Sequence, residues 1–285
     1  MKQKAIFLLA FLLSVTFAGN ASARIDFEIT SNFNTTENPL DIASSLDGKF
    51  IFVLSKGQVA IYNKNGKLKE TIAVDKAMNR ISVSGLAMAG LDDKIYLSSE
   101  NTKKIQEISY TFVVHIDTTG SPFLGTAAAP VEVVVFSDFQ CPHCSRLGPL
   151  FEQILEANPE TVKIVHKDFP LRGHKKARPA AVAAQAAHEQ GKFWEFHDEL
   201  YKNMRDLTPK KFTEIATKLD LDLEKFKKDQ TSPAISQRIA KDQRDASQAG
   251  VHGTPSLFVN GRRVKNRNFI TIQKMINEEL NRVKK

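Results

Sequence analysis

The strongest constraint on the fold of this chain is a pair of cysteines, Cys141 and Cys144, that follows a run of β-branched residues. They are the only two cysteines in 285 residues, so they cannot form the disulfide framework that holds small secreted domains together. Residues 131–136 are almost all apolar and predict a central strand. Pro142 suits a first helical position. The pattern predicts a strand ending at a dithiol, which opens a helix that Pro149 should kink.

The first 23 residues predict a secretory signal peptide. Lys2 and Lys4 precede the apolar stretch 5–13, and small residues lead up to Ala23, near which cleavage is expected. An uncleaved membrane anchor is the alternative. We therefore expect an exported, periplasmic or otherwise extracytoplasmic protein. In such a compartment cysteines persist as disulfides or as parts of a redox group.

Composition excludes several classes of protein. Hydrophobic residues make up 42% of the chain and charged residues 25%, which is ordinary for a globular protein and argues against a disordered or fibrous one. The chain has 40 Lys and Arg residues against 32 Asp and Glu residues. An excess this modest, spread along the chain, is typical of a solvated surface, and we expect no nucleic-acid partner.

Residues 24–117 predict a β-rich repeat domain. Strand-like runs at 49–54 and 58–62 are followed by Asn65-Gly66, a strong hairpin signal. Residues 46–51 are echoed at 91–96, a period near 45 residues that resembles NHL- or WD-type propeller blades. An unrelated small β-sheet domain is the alternative. Two blades cannot close a propeller, so another domain or a second copy, in a homodimer, would cover the open strand edges.

A Gly/Ser/Pro/Ala-rich stretch, 118–130, is predicted to be a linker. The half that follows, 131–285, is predicted to contain these elements in order: the dithiol strand and helix, a strand at 161–169, a helical insertion at about 173–249, strands at 255–259 and 262–264, and a helix at 270–283. This order predicts an α/β thioredoxin fold with an inserted helical domain, preceded by a smaller all-β repeat domain.

Four motifs in this half resemble the DsbA-like branch of the thioredoxin-fold oxidoreductases. They occur in the expected order over about residues 120–280, and they are Phe136-Ser137-Asp138-Phe139-Gln140-Cys141-Pro142-His143-Cys144, His166-Lys167-Asp168-Phe169-Pro170-Leu171, Phe193-Trp194-Glu195-Phe196-His197 and Gly250-Val251-His252-Gly253-Thr254-Pro255-Ser256-Leu257-Phe258-Val259-Asn260-Gly261. The resemblance implies a protein-disulfide oxidoreductase that acts on folding secreted proteins with free thiols. It also implies a membrane partner, of the quinone-linked type, that reoxidises the dithiol.

The dithiol is the predicted catalytic group. At a helix N-terminus the backbone N–H groups favour negative charge, so the thiolate of Cys141 should be stabilised as the nucleophile. Pro142 and His143 should support it, His143 by a hydrogen bond or positive charge. Stabilising the thiolate stabilises the reduced form and makes the disulfide more oxidising. Cys144, one turn further on, should resolve mixed disulfides and be the more buried of the two.

No bound cofactor is expected, because the dithiol is itself the redox group. Cys-x-x-Cys also suits half of a zinc site, but the chain has no second cysteine pair. His166, His174 and His188 have no ligand-like spacing, so no metal is expected. A plain structural disulfide is the other alternative.

Thr254-Pro255 is the predicted substrate-binding element. In thioredoxin folds a cis proline faces the dithiol, and the backbone before it can pair with an extended substrate. An ordinary trans turn proline is the alternative. One position departs from the family: many relatives carry a buried acid six residues before the first cysteine, where Val135 stands here. We therefore expect the proton of the resolving thiol to use water or another group.

Together these features predict an exported oxidoreductase that donates the Cys141–Cys144 disulfide through a mixed disulfide. A disulfide isomerase or reductase, working from the reduced dithiol, is the enzymatic alternative. A peptide-binding chaperone module, in which the cysteines are dispensable, is the alternative from another class.

Overall fold

The computed structural model describes residues 28–85 and 93–283. The predicted signal peptide and residues 91 and 92 of the repeat echo at 91–96 lie outside the described residues. Among those that are described, no helix combines the length and the apolar character needed to cross a bilayer.

The N-terminal half of the described chain is built from two antiparallel sheets. The first contains β1 (Asp41–Ser44), β2 (Phe50–Ser55), β3 (Gln58–Asn63) and β4 (Leu68–Ala73), paired in sequence order. The second contains β5 (Arg80–Ser84), β6 (Asp93–Ser98) and β7 (Ile105–Tyr110), also in sequence order. The predicted hairpin at Asn65-Gly66 joins β3 to β4, and Gly66 takes the positive φ of 75° that such a turn favours.

The two small sheets share one apolar core. Its buried members come from strands of both sheets and from the connection between them: Phe52, Leu54, Val59, Ile61, Met78, Ile81, Ile95 and Leu97. A carboxylate oxygen of Asp41 in β1 accepts the backbone N–H of Ile81 in β5 at 2.9 Å, which joins the sheets directly. The resemblance to propeller blades and the homodimer contact through this domain stay predictions.

The C-terminal half is organised around a mixed five-stranded sheet. Its strands are β8 (Phe123–Gly125), β9 (Val131–Ser137), β10 (Val162–Asp168), β11 (Ser256–Val259) and β12 (Arg262–Arg263), in the order β12-β11-β9-β10-β8. Only β9 and β10 run parallel. Helices α1 (Gly148–Ala157) and α7 (Phe269–Val283) pack on one face, so β9 is buried at the centre as its β-branched composition predicts.

Between β10 and β11 the chain forms the predicted helical insertion. Its helices are α2 (Ala177–His188), α3 (Phe193–Lys202), α4 (Pro209–Lys218), α5 (Leu223–Gln230) and α6 (Pro233–Gln248). The hydroxyls of Thr208 and Ser232 cap α4 and α6, and each cap is followed by a proline in the first turn of its helix. Helices α2 to α5 enclose their own apolar core, while α6 also packs against the sheet.

Residues 118–130, predicted as a linker, contribute the edge strand β8 to the main sheet, where it pairs with β10. Three paired residues inside a Gly- and Pro-rich stretch give no strand pattern of their own, because strand signals need longer alternation. The segment that connects the two halves of the chain lies before this stretch, at residues 112–114. The ring of Phe112 stacks on Phe50, 4.0 Å between centroids, and the N–H of Val114 donates to the carbonyl oxygen of Gly261 at 3.0 Å.

Candidate active site

The dithiol lies immediately beyond the C-terminal end of β9. A tight turn brings it there: the N–H of Cys141 donates to the carbonyl oxygen of Asp138, and Asp138 Oδ1 accepts the N–H of Gln140 at 2.7 Å. Asp138 therefore caps the turn. The N–H of Cys144 then donates to the carbonyl oxygen of Cys141 at 3.0 Å, which closes a hydrogen-bonded turn that contains both cysteines.

The helix after the dithiol differs from the single kinked helix that Pro149 predicted. Cys144–Arg146 form a short 3₁₀ turn, and α1 starts separately at Gly148. Pro149 lies in the first turn of α1, where its missing N–H costs no helical hydrogen bond. The prediction of a mid-helix kink is therefore wrong, because Pro149 opens a new helix after the turn that holds the cysteines. The first helical position predicted for Pro142 is wrong as well, because Pro142 lies in a turn and the 3₁₀ segment starts only at Cys144.

The two thiols are both buried, with 4% of Cys141 and 2% of Cys144 exposed. The Thr254-Pro255 peptide bond is cis, as the motif predicted. The thiol of Cys141 lies 3.4 Å from the carbonyl oxygen of Thr254, so the proline loop and the first cysteine are in contact. The side-chain hydroxyl oxygen of Thr254 is buried and has no hydrogen-bond partner within the described chain.

Cys144 faces the protein interior. Burial raises the pKa of its thiol to about 12, although a hydrogen bond with the hydroxyl of Ser137 acts in the opposite direction. Ser137 Oγ is in turn 2.8 Å from the hydroxyl oxygen of Tyr201 in α3. Burial raises the pKa of Tyr201 well above its usual value, so its hydroxyl stays protonated and available as a donor. The second cysteine is thus held as a thiol against two hydroxyl groups.

In the reduced protein, Cys144 is expected to remain a thiol up to about pH 10, because its buried site disfavours the thiolate. Cysteine labelled with ¹³C at Cβ should give two signals, since the chain has two cysteines. The Cys144 signal should stay constant from about pH 4 to about pH 10. The Cys141→Ser variant assigns the signals, and a Cys144 titration step below about pH 9 would contradict the expectation.

The predicted supporting residues have different surroundings. Pro142 and His143 lie exposed between the cysteines, and the role of His143 in stabilising the thiolate stays a prediction. Val135, where many relatives have an acid, is 1% exposed within the apolar core beneath α1. Ser137 and Tyr201 are the polar side chains beside Cys144, and sequence reasoning missed both. The sequence signal for them was weak, since Ser137 is marked only by its place in the dithiol motif.

Aromatic side chains of α3 join the insertion to the site. Phe193 and Phe196 are buried, and the indole N–H of Trp194 donates to the carbonyl oxygen of Phe123 in β8 at 2.8 Å. This segment therefore packs the helical insertion against the sheet. His197 is 6% exposed, and burial lowers its pKa, so it is a core histidine.

A buried charged cluster lies at the end of β10, where sequence reasoning predicted only a strand at 161–169 and no cluster. Lys167 is fully buried, and its ammonium group lies 2.6 Å from Asp242 and 2.9 Å from Asp245 in α6. It also donates to the carbonyl oxygen of Asp117 at 2.8 Å. The cluster ties β10, α6 and the segment that enters the domain to one another.

The neighbouring Asp168 points the other way and is satisfied by polar side chains of the core. Its carboxylate accepts a hydrogen bond from the amide of Gln185 in α2 at 2.7 Å and lies 3.1 Å from His166 Nε2. Two of the three histidines weighed as zinc ligands, His166 and His174, are therefore each paired with a different aspartate, Asp168 and Asp138. No group of three or more His, Cys, Asp or Glu side chains with metal-binding geometry occurs among the described residues.

These features define the class of protein. The parallel β9–β10 pair, the antiparallel β11, the flanking helices and the insertion make a thioredoxin fold, and the dithiol and the cis proline meet at the end of its central strand. Paired thiols in contact with a strand-like backbone segment are suited to thiol–disulfide exchange on polypeptides.

Comparison with known proteins agrees. A family model described as thioredoxin matches residues 117–278, more than half of the chain. The chain belongs to the thioredoxin family, in its DsbA-like branch. The probable disulfide bond formation protein D of Bacillus cereus is 36% identical over 171 residues, which are 55% of this chain and 77% of that protein. Oxidised BdbD from Bacillus subtilis is similar with a TM-score of 0.55 and 26% identity, over 60% of this chain and 98% of that one.

Other relatives are much longer than the matched segment. The Na(+)/H(+) antiporter NhaA 3 of Salinispora tropica is 40% identical over 152 residues, which are 53% of this chain and 23% of that protein. The chain thus spans about a quarter of the length of such relatives, 23% for this one.

Proposed function

We propose that this protein is an exported thiol-disulfide oxidoreductase that transfers the Cys141–Cys144 disulfide to folding secreted proteins. The observation that carries the proposal is the 3.4 Å contact between the thiol of Cys141 and the carbonyl oxygen of Thr254. It puts a reactive sulfur beside backbone that can pair with an extended substrate as an added strand. The 36% identity with a probable disulfide bond formation protein supports the same activity.

In the proposed reaction a substrate thiolate attacks the sulfur of Cys141 in the oxidised pair. A disulfide forms between substrate and Cys141, and the Cys141–Cys144 bond breaks with its electron pair on Cys144. Because the pKa of Cys144 is about 12, the leaving thiolate takes up a proton at neutral pH. A second substrate thiolate then attacks the substrate sulfur and releases Cys141, so two electrons pass from the substrate to the protein.

The rest of the cycle follows from the dithiol being the redox group. No bound cofactor takes part, and a membrane protein of the quinone-linked type reoxidises the pair. The site of action is the periplasm or another extracytoplasmic compartment, reached through the segment that ends near Ala23. Supporting this assignment, the relatives named for disulfide bond formation match 55% of this chain.

The reduction potential of the pair tests the direction of electron flow. Equilibrated with glutathione buffers, a disulfide donor is expected to give a potential above about −180 mV, the range of strong protein oxidants. A value near about −270 mV, the thioredoxin range, would assign the protein as a reductase or isomerase. The Cys144→Ser variant, which cannot close the disulfide, is the matched control. A wild-type pair that does not cycle would favour the peptide-binding chaperone.

A further inference from the structure

Three segments beside the dithiol are rich in cations and contain no carboxylate. Segments 142–151, 171–188 and 250–268 flank the two cysteines, and none of them contains an Asp or a Glu. Six exposed cationic residues of these segments form what we call the active-site basic patch: Arg146, Arg172, Lys175, Lys176, Arg178 and Arg267. A patch of one sign beside a reactive group raises the local concentration of molecules with the opposite charge.

The patch is fixed to the dithiol loop by hydrogen bonds. Asp138 Oδ2 accepts the backbone N–H of Leu171 at 2.8 Å and lies 2.8 Å from His174 Nδ1. The side-chain oxygen of Gln140, the residue before Cys141, accepts the backbone N–H of Lys176. The basic loop after β10 is therefore held against the residues that lead into the first cysteine.

Arg267 extends the patch to the other side of the site. Its guanidinium lies 3.4 Å from the carbonyl oxygen of Pro255, the cis proline. The loop at 171–178 and Arg267 thus flank the contact between Cys141 and Thr254. An extended chain that pairs with the proline loop would have cations on both sides of its cysteine.

The charges of the patch have no carboxylate partner within the described residues, since none of the six lies within 4.0 Å of one. Exposed cations elsewhere are commonly paired, as in Lys192–Glu195, Lys227–Glu224 and Arg80–Glu100. Unpaired like charges on one surface repel each other. An anionic ligand that covers them relieves that repulsion, which favours its binding over that of a neutral or cationic one.

We propose that the active-site basic patch selects substrate polypeptides with acidic residues on either side of the reacting cysteine. This inference rests on the proposed function, because it assumes that a polypeptide thiol reacts at Cys141. Acidic side chains two or three positions from the cysteine face the patch, while cationic side chains there are repelled. The preference acts mainly on the rate of association, and salt weakens it.

Three peptides of equal length test the proposal. Each carries one pair of cysteines flanked by four Glu, four Gln or four Lys residues, and stopped-flow fluorescence measures disulfide transfer from the oxidised protein. Flanking charge also changes the reactivity of a thiol, so each rate is divided by the rate of the same peptide with neutral hydroxyethyl disulfide. At low salt the Glu peptide should react at least about tenfold faster than the Lys peptide. At about 0.5 M salt the ratio should fall below about two.

Charge-neutralising variants locate the effect. Arg172→Gln, Lys175→Gln and Lys176→Gln together should reduce the ratio of Glu to Lys rates at low salt to below about three. The matched control removes three exposed charges from α4 and α5 and should leave the ratio unchanged: Lys210→Gln, Lys227→Gln and Lys228→Gln. Circular dichroism checks that both variants are folded.

The outcomes separate this inference from the function on which it rests. If dithiothreitol cannot reduce the wild-type disulfide and no peptide is oxidised, the proposed function fails. Equal normalised rates for the three peptides, with transfer intact, would overturn only the charge preference. An unchanged ratio of Glu to Lys rates in the patch variant would also overturn the charge preference. Patch-dependent binding to anionic lipid vesicles, with no preference among the peptides, would overturn it too.

Discussion

Replacing Cys141 with serine is expected to abolish thiol–disulfide exchange, with a loss of at least about three orders of magnitude in rate. Cys141 is the sulfur in contact with the Thr254 carbonyl oxygen, and a serine hydroxyl cannot form a disulfide with a substrate. Oxidation of a reduced, unfolded dithiol protein measures the loss. Retained activity in Cys141→Ser would contradict the assignment and favour a chaperone in which the cysteines are dispensable.

The matched variant, Cys144→Ser, should fail in a different way. Cys141 is left without a resolving partner, so a mixed disulfide with substrate should accumulate and survive non-reducing electrophoresis. Cys144 itself, which burial keeps as a thiol, should form far fewer such complexes in the Cys141→Ser variant. Equal trapping by both variants would contradict the division of roles between the two sulfurs.

The second large effect concerns stability. Lys167→Met is expected to lower the free energy of unfolding by about 3–5 kcal/mol, because it leaves two carboxylates without their buried counter-ion. Denaturant unfolding followed by the fluorescence of Trp194, the only tryptophan, reports on this half of the chain. The control is Lys241→Met: this lysine pairs with Asp245 as well, but its side chain is 33% exposed, so we expect a loss of about 0–1 kcal/mol.

The loss in Lys167→Met should also depend on pH. Burial, with the charge of nearby Asp168, raises the pKa of Asp242 from 3.8 to about 6. The folded state therefore holds a proton that the unfolded state releases, and the contribution of this carboxyl to stability falls as the pH rises from about 4 to about 6. The destabilisation should be smaller at about pH 5 than at about pH 8. Adding Asp242→Asn should recover at least about 1 kcal/mol at the higher pH, and no recovery would contradict the buried ion pair.

Much of the fold and the dithiol could be predicted because the signals are local. The β-branched run at 131–136, the dithiol motif and Thr254-Pro255 each indicate their structure over a few adjacent residues. Strand β8 was not predicted, because an edge strand of three residues is too short to show a periodic pattern of apolar residues. Helix α5 was not distinguished, since Phe226 is its only buried residue.

The charged features could not be predicted for a different reason. Lysine is rarely buried, so Lys167 reads as exposed, and its partners Asp242 and Asp245 follow it by about 75 residues in the sequence. The basic patch is also hidden in the sequence. The overall excess of positive charge is modest, and only the fold brings segments 142–151, 171–188 and 250–268 to one surface.

The bonds made by residues 113–125 bear on how this half of the protein could move between proteins in evolution. The N–H of Val114 donates to the carbonyl oxygen of Gly261, at the far edge of the sheet. The carbonyl oxygen of Asp117 accepts a hydrogen bond from the buried Lys167, and that of Phe123 accepts one from the indole of Trp194. Val114, Asp117 and Phe123 all lie ahead of the strand that leads to the cysteines. The smallest module that could be transplanted with its interior intact therefore begins near Val113, about twenty residues before that strand. Shuffling at the glycine- and proline-rich stretch would leave part of the module behind.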